Sequence, residues 1–156
     1  MGDQWFNDVK MPHYHGVDGS IHELDEEFTV AGLLPDGRVF ELIIEPGFRF
    51  DGCSIPRPLW RLCGHPLEVP RIAAALAHDW LYAAQLTDRE TADQVFLSVC
   101  LEVGLGWLRR KVEYRALRLF GWAAWRGKKD ADRIAARACG TLWIEGKKLT
   151  GDNENA

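Results

Sequence analysis

The first hydrophobic runs of the chain are β-prone. Glu27–Leu34 (EFTVAGLL) and Arg38–Glu45 (RVFELIIE) flank Pro35-Asp36-Gly37. The fixed φ of proline and the freedom of glycine there predict a tight hairpin turn. Pro46-Gly47 predicts a second turn, and Phe48–Phe50 the start of a third strand. Beyond this point the pattern becomes helical. Pro56–Cys63 reads as a short helix stopped by Gly64, and Pro70 opens a longer one over Arg71–Leu86 whose apolar residues fall on all sides, as in a helix surrounded by protein. Thr87-Asp88-Arg89-Glu90 has the capping-box pattern. Ala92, Val95, Phe96, Val99, Cys100 and Val103 then form a core stripe at helical spacing, broken by Gly104-Leu105-Gly106. A third amphipathic helix is predicted over Trp107–Trp125, where Gly121 permits a close crossing or a kink, and a fourth, short one over Asp130–Ala138. The expected fold is α+β, with an N-terminal antiparallel β-hairpin or small sheet packed on a C-terminal bundle of three to four helices. Residues 1–26 read as an extension, 27–148 as one domain and 149–156 as a polar tail.

Composition narrows the class. Hydrophobic residues make up 47% and charged residues 27% of the 156 positions, values that argue against disorder. No stretch free of Asp, Glu, Lys and Arg exceeds eight residues, so no segment is expected to span a membrane, and no membrane partner is expected. The N-terminus lacks the basic and apolar regions of a secretory signal, so a cytoplasmic protein is expected, with reduced thiols at Cys53, Cys63, Cys100 and Cys139. The net charge of −4 disfavours general DNA binding. Charge is nevertheless uneven. Residues 1–45 carry ten acids against Lys10 and Arg38, whereas residues 106–129 carry eight cations against Glu113 alone. That basic stripe is either a solvated face or a place for a small anionic ligand.

Chemistry concentrates in two segments. In Ala77-His78-Asp79-Trp80-Leu81-Tyr82 a histidine and a carboxylate interrupt an apolar helix, so at least one of them is expected to point inward. A buried carboxylate needs a proton, a cation or several donors. Tyr82, one turn after His78, can share its partner. In Asp51-Gly52-Cys53-Ser54-Ile55-Pro56 a strand end leads into a helix, where catalytic loops often sit, although Asp51 and Ser54 are equally explained as turn and cap residues. Asp93 sits at the edge of the next helix's core stripe. Convergence of Asp51, His78, Asp79 and Asp93 would make a site for a divalent cation such as Mg²⁺, Mn²⁺ or Zn²⁺. Without a metal, His78 is the candidate general base, held by Asp79 or Asp51. The bland alternative is a satisfied His–Asp pair that locks the helix in place. His13 and His15 read as surface residues.

Phe48 through Trp60, the Ala77–Tyr82 segment, Ala92-Asp93-Gln94-Val95-Phe96 and Tyr114 through Gly121 together resemble a phage and prophage family catalogued as domain of unknown function 1353, over roughly residues 28–125. The resemblance implies a phage origin and draws Asp51, Ser54, His78, Asp79, Tyr82 and Asp93 into one set. The expected function is a small phage-encoded hydrolase of phosphodiesters or nucleotides, with catalysis by His78, Asp79, Asp51 and Ser54. Substrate would be held by Tyr82, Trp60 and Arg57. Two alternatives stand beside it. One is a non-catalytic phage protein, a virion component or a binder of a host factor or signalling nucleotide, with a phage, host or second-copy partner. The other is a cell-wall amide or peptide hydrolase.

Overall fold

A computed structural model describes residues 9–19, 21–51 and 71–151. Its strands form two antiparallel sheets. In the first, β1 (Tyr14–Asp18), β2 (Ile21–Leu24) and β5 (Arg49–Phe50) lie in the order β1-β2-β5. In the second, β3 (Phe28–Leu33), β4 (Val39–Ile44), β6 (Gly140–Ile144) and β7 (Lys147–Lys148) lie in the order β3-β4-β6-β7. The β3–β4 hairpin is the one its turn residues predict. Gly37 has φ +88°, Leu34 and Arg38 close the turn, and Asp36 accepts from the Arg38 backbone at 3.0 Å. Alternation along β4 turns Phe40, Leu42 and Ile44 into the core, all fully buried.

Four helices follow among the described residues: α1 (Ile72–Ala84), α2 (Arg89–Glu102), α3 (Trp107–Arg126) and α4 (Asp130–Ala138). The α+β class, with strands first and helices after, holds. Every residue of α1 is buried except Asp79, as expected of a helix surrounded by protein. It packs on α2, α3 and α4 and against β4 and β5. Trp80 Nε1 donates to the Ala136 carbonyl at 2.9 Å, tying α1 to α4, and Gly140 lies so close to the Trp80 ring that a Cβ there would sit 2.7 Å from it. Gly121 serves the expected close crossing: a side chain there would collide with the Tyr82 hydroxyl.

Four strands fall where the sequence pattern showed none. β1 and β2 occupy the segment expected to be an extension, and β6 and β7 follow the last helix. All are short; β2 and β6 pair with strands far away in the chain, as His22 with Phe50 and Leu42 with Leu142, while β1 and β7 are edge strands that pair with their neighbours β2 and β6. The third strand, β5, joins β2 rather than the hairpin. The second helix starts one residue later than its capping box implied: Asp88, not Thr87, is the N-cap, its carboxylate accepting from Thr91 N at 2.7 Å. The short helix expected over Pro56–Cys63 lies outside the described residues.

Candidate functional site

His78 and Asp79 adjoin on α1, so their side chains diverge by about 100° around the helix axis. Each belongs to a different environment. His78 turns into the bundle, where it is 3% exposed, and its Nε2 lies 2.9 Å from Asp93 Oδ1. A carboxylate only accepts, so Nε2 carries the proton. Tyr82, one turn on, donates its hydroxyl to the same Oδ1 at 2.7 Å. The other carboxylate oxygen accepts from Arg118 at 2.8 Å and more weakly from Arg89 at 3.4 Å. Arg89 in turn donates to the Leu117 and Arg118 carbonyls of α3. The His78 ring is flanked by Tyr82 and Phe96, with centroids 4.0 and 5.5 Å away. One fully buried carboxylate thus gathers donors from α1, α2 and α3.

The electrostatics of this network follow from its burial. Removal from water lowers the His78 pKa below its ordinary 6.5, against the opposing pull of Asp93, and so keeps the imidazole neutral. Burial alone would raise the Asp93 carboxyl, but hydrogen bonds from His78, Tyr82 and Arg118 outweigh it and hold the group below the usual carboxylate range. Burial and the adjacent carboxylate raise the Tyr82 phenol, which therefore remains a donor. Both depressed groups give stability the same pH dependence. The unfolded chain takes up protons that the folded chain resists, first at histidine as pH falls through 6.5 and then at Asp93 below 3.8. The melting temperature is expected to decline as pH drops below 6.5, and His78→Gln is expected to flatten the first part of that decline in a calorimetric pH series.

Asp79 faces a different side of the helix. With Asp51 at the end of β5, it lines a cleft of about 230 Å³ whose walls include Arg49, Phe50, Ala83 and Lys128. Asp79 is half-buried and already has an interaction partner, Asp51 is exposed, and Arg49 pairs with Glu23 at 3.0 Å. The cleft therefore combines two carboxylates with two cations at the point where the chain enters the 52–70 segment.

The four residues expected to converge on a cation are divided two by two. His78 and Asp93 are bonded to each other, with two guanidinium groups on the far side of Asp93, an arrangement that repels a divalent ion. Asp51 and Asp79 share the cleft. Among the described residues no group of three or more His, Cys, Asp or Glu side chains is placed to hold a metal. Ser54, Arg57 and Trp60, like Cys53 and His65, lie outside the described residues. Cys100 is buried in the core, where loss of water pushes its thiol well up. His13 and His15 are exposed, and His15 bonds Asp25. Trp80 is a core residue.

Sequence reasoning missed Arg89 and Arg118 as partners of Asp93. The Arg89–Asp93 spacing of four residues within one helix was the available signal; Arg118 comes from another helix and had none. A second buried ion pair was also missed. Arg71 Nε donates to Glu113 Oε2 at 2.8 Å with both side chains inaccessible, and Arg109 reaches Oε1 at 3.2 Å. Glu113 is the lone acid in the basic stretch 106–129, a position that set it apart in the sequence.

A family of proteins of unknown function, DUF1353, matches residues 23–117. The chain belongs to the DUF1353 family. The match takes in Asp51, His78, Asp79, Tyr82, Arg89, Asp93 and Glu113, so both the sealed network and the cleft lie mainly within the DUF1353 region. Arg118, on the last part of α3, falls just beyond it. No curated protein and no solved structure matches the chain.

Proposed function

We propose that this DUF1353 protein is a hydrolase of an anionic substrate, of the phosphodiester or nucleotide class, working at the Asp51–Asp79 cleft. The supporting observation is that Asp79 is the one residue of α1 left unburied, and that it opens onto a cleft shared with a second carboxylate. Two carboxylates in unlike surroundings suit general acid–base work, one taking a proton from water and the other returning one to the leaving oxygen. Lys128 and Arg49 offset substrate charge. Asp51 also leads directly to Ser54, Arg57 and Trp60, which in this proposal hydrogen-bond, pair with and stack on the substrate. His78 acts through position: its bond to Asp93 fixes the rotation of α1 and so the direction of Asp79.

The test is turnover of bis(p-nitrophenyl) phosphate and a panel of cyclic nucleotides, with peptidoglycan fragments as the cell-wall variant. Asp79→Asn is expected to lower kcat by about a hundredfold or more, the scale of a lost acid or base, with an unchanged melting curve. Loss of activity in EDTA, restored by Mg²⁺ or Mn²⁺, would assign a cation to Asp51 and Asp79; Mg²⁺ often binds through one or two carboxylates together with substrate phosphate. No turnover by the wild-type chain on any of these substrates would overturn the proposal.

The sealed state of His78 favours a second reading. A histidine that is 3% exposed and bonded to Asp93 is a structural lock, as in a non-catalytic protein of a phage particle or a binder of a host factor. On that reading Asp79→Asn changes affinity for a partner and no turnover exists to lose.

A further inference from the structure

Helix α3 is about 30 Å long at 1.5 Å per residue, and its main packing partners are α1 and α2. Its outward stripe runs Leu108, Lys111, Arg115, Leu119, Trp122 and Arg126, residues separated by three or four positions. Leu108 is 65% exposed, Leu119 66% and Trp122 52%, with Trp107 open beside them. Such a concentration of large apolar groups on one exposed face marks a contact surface. The only acid on the helix, Glu113, is buried against Arg71, so the exposed face carries positive charge alone. Lys111 lies 4.6 Å from the Trp107 ring and Arg126 5.5 Å from that of Trp122, so cations and indoles occupy the same level of the surface.

Charge and shape select the occupant. A second copy docked through the same stripe would set Lys111, Arg115 and Arg126 against their own counterparts. A nucleic-acid strand would match the cations but offer nothing to the aliphatic Leu108 and Leu119. A bilayer carrying anionic headgroups satisfies both, taking Trp and Leu into the interface while Lys and Arg reach the phosphates. The apolar surface also continues past the start of α3 into a groove of about 370 Å³ between the β3–β4 turn and α2, walled by Leu33, Pro35, Leu97, Leu101 and Trp107, with Arg110 and Lys111 among its residues. It offers space beside cations for part of a lipid chain. We infer that α3 lies flat on an anionic membrane surface as the docking face of this protein. Among the described residues no helix is long and apolar enough to cross a membrane, which is compatible with that peripheral mode.

Flotation with vesicles of phosphatidylcholine alone, and of phosphatidylcholine with phosphatidylglycerol, tests the inference. The full chain is expected to float with the anionic vesicles only, with a blue shift in tryptophan emission and release at high salt. Leu119→Glu combined with Trp122→Glu is expected to weaken binding by about tenfold or more. Both positions are exposed, and an unchanged melting curve shows that the fold survives. Absence of binding to anionic vesicles, or binding undiminished by the double substitution, would overturn it. So would a dimer seen by light scattering without lipid and abolished by the same substitutions, which would give the face to a second copy.

Discussion

Asp93→Ala is expected to lower the melting temperature by about 10 °C. The carboxylate is completely inaccessible and accepts from His78, Tyr82, Arg118 and Arg89. Its removal leaves four donors without this acceptor, two of them charged. Breaking a buried pair by deleting one partner costs about 3–5 kcal/mol, and in a chain of this size each kcal/mol moves the midpoint by roughly 2–4 °C. Asp18→Ala, at an exposed strand position, is the control, with a shift near zero. Equal shifts for the two substitutions would show that Asp93 does not hold α1, α2 and α3 together. Asp93→Asn refines the test. Asparagine retains one acceptor for His78 and Tyr82 but turns an amide N–H toward Arg118, so a loss intermediate between alanine and the native residue is expected.

The second large effect is asymmetric. Arg71→Met alone is expected to destabilise the protein by about 3–5 kcal/mol, because it takes the Arg71 bond from a buried carboxylate whose other contact among the described residues is Arg109 at 3.2 Å. Glu113→Leu alone takes the carboxylate away from Arg71 Nε and is also expected to destabilise the fold. Combining the two removes both charges, fills the space with apolar groups and is expected to restore most of the loss, as urea titrations of the three variants would show. The pH dependence is opposite in sign to that of the Asp93 network. Burial pushes the Glu113 carboxyl above its ordinary 4.5, against the pull of Arg71 and Arg109. The folded chain therefore holds this proton more tightly than the unfolded chain, and stability from this group falls as pH rises above 4.5. Without Arg71 that fall is expected to steepen. Additive losses in the double variant would mean that the two residues do not act as a pair.

Local chemistry made much of the fold legible. Pro35-Asp36-Gly37 needs only its own torsional preferences to turn the β3–β4 hairpin, and Asp130–Ala138 begins and ends as α4 where the pattern placed it. The all-round apolar pattern of Arg71–Leu86 identified a buried helix, and the interruption by His78 and Asp79 marked where its polar chemistry lies. The two short strand pairs escaped notice because β6 depends on β4, about a hundred residues earlier in the chain, and β1 and β2 are too short to show a period. Likewise, nothing near Trp107 or Trp122 distinguishes an exposed indole from a core one, and both are open on the surface of α3.

The candidate site divides along the same line. The sequence alone determined the α+β architecture, the family region, and the polar residues of the central helix, since these depend on turn torsions, helical period and the cost of charge in an apolar run. Only the tertiary structure decided that His78 closes inward on Asp93 while Asp79 opens toward Asp51, and that Arg71 meets Glu113 42 residues away. The physical reason is that a charge selects its partner by distance in space, and contacts between separate helices and strands have no fixed spacing along the chain.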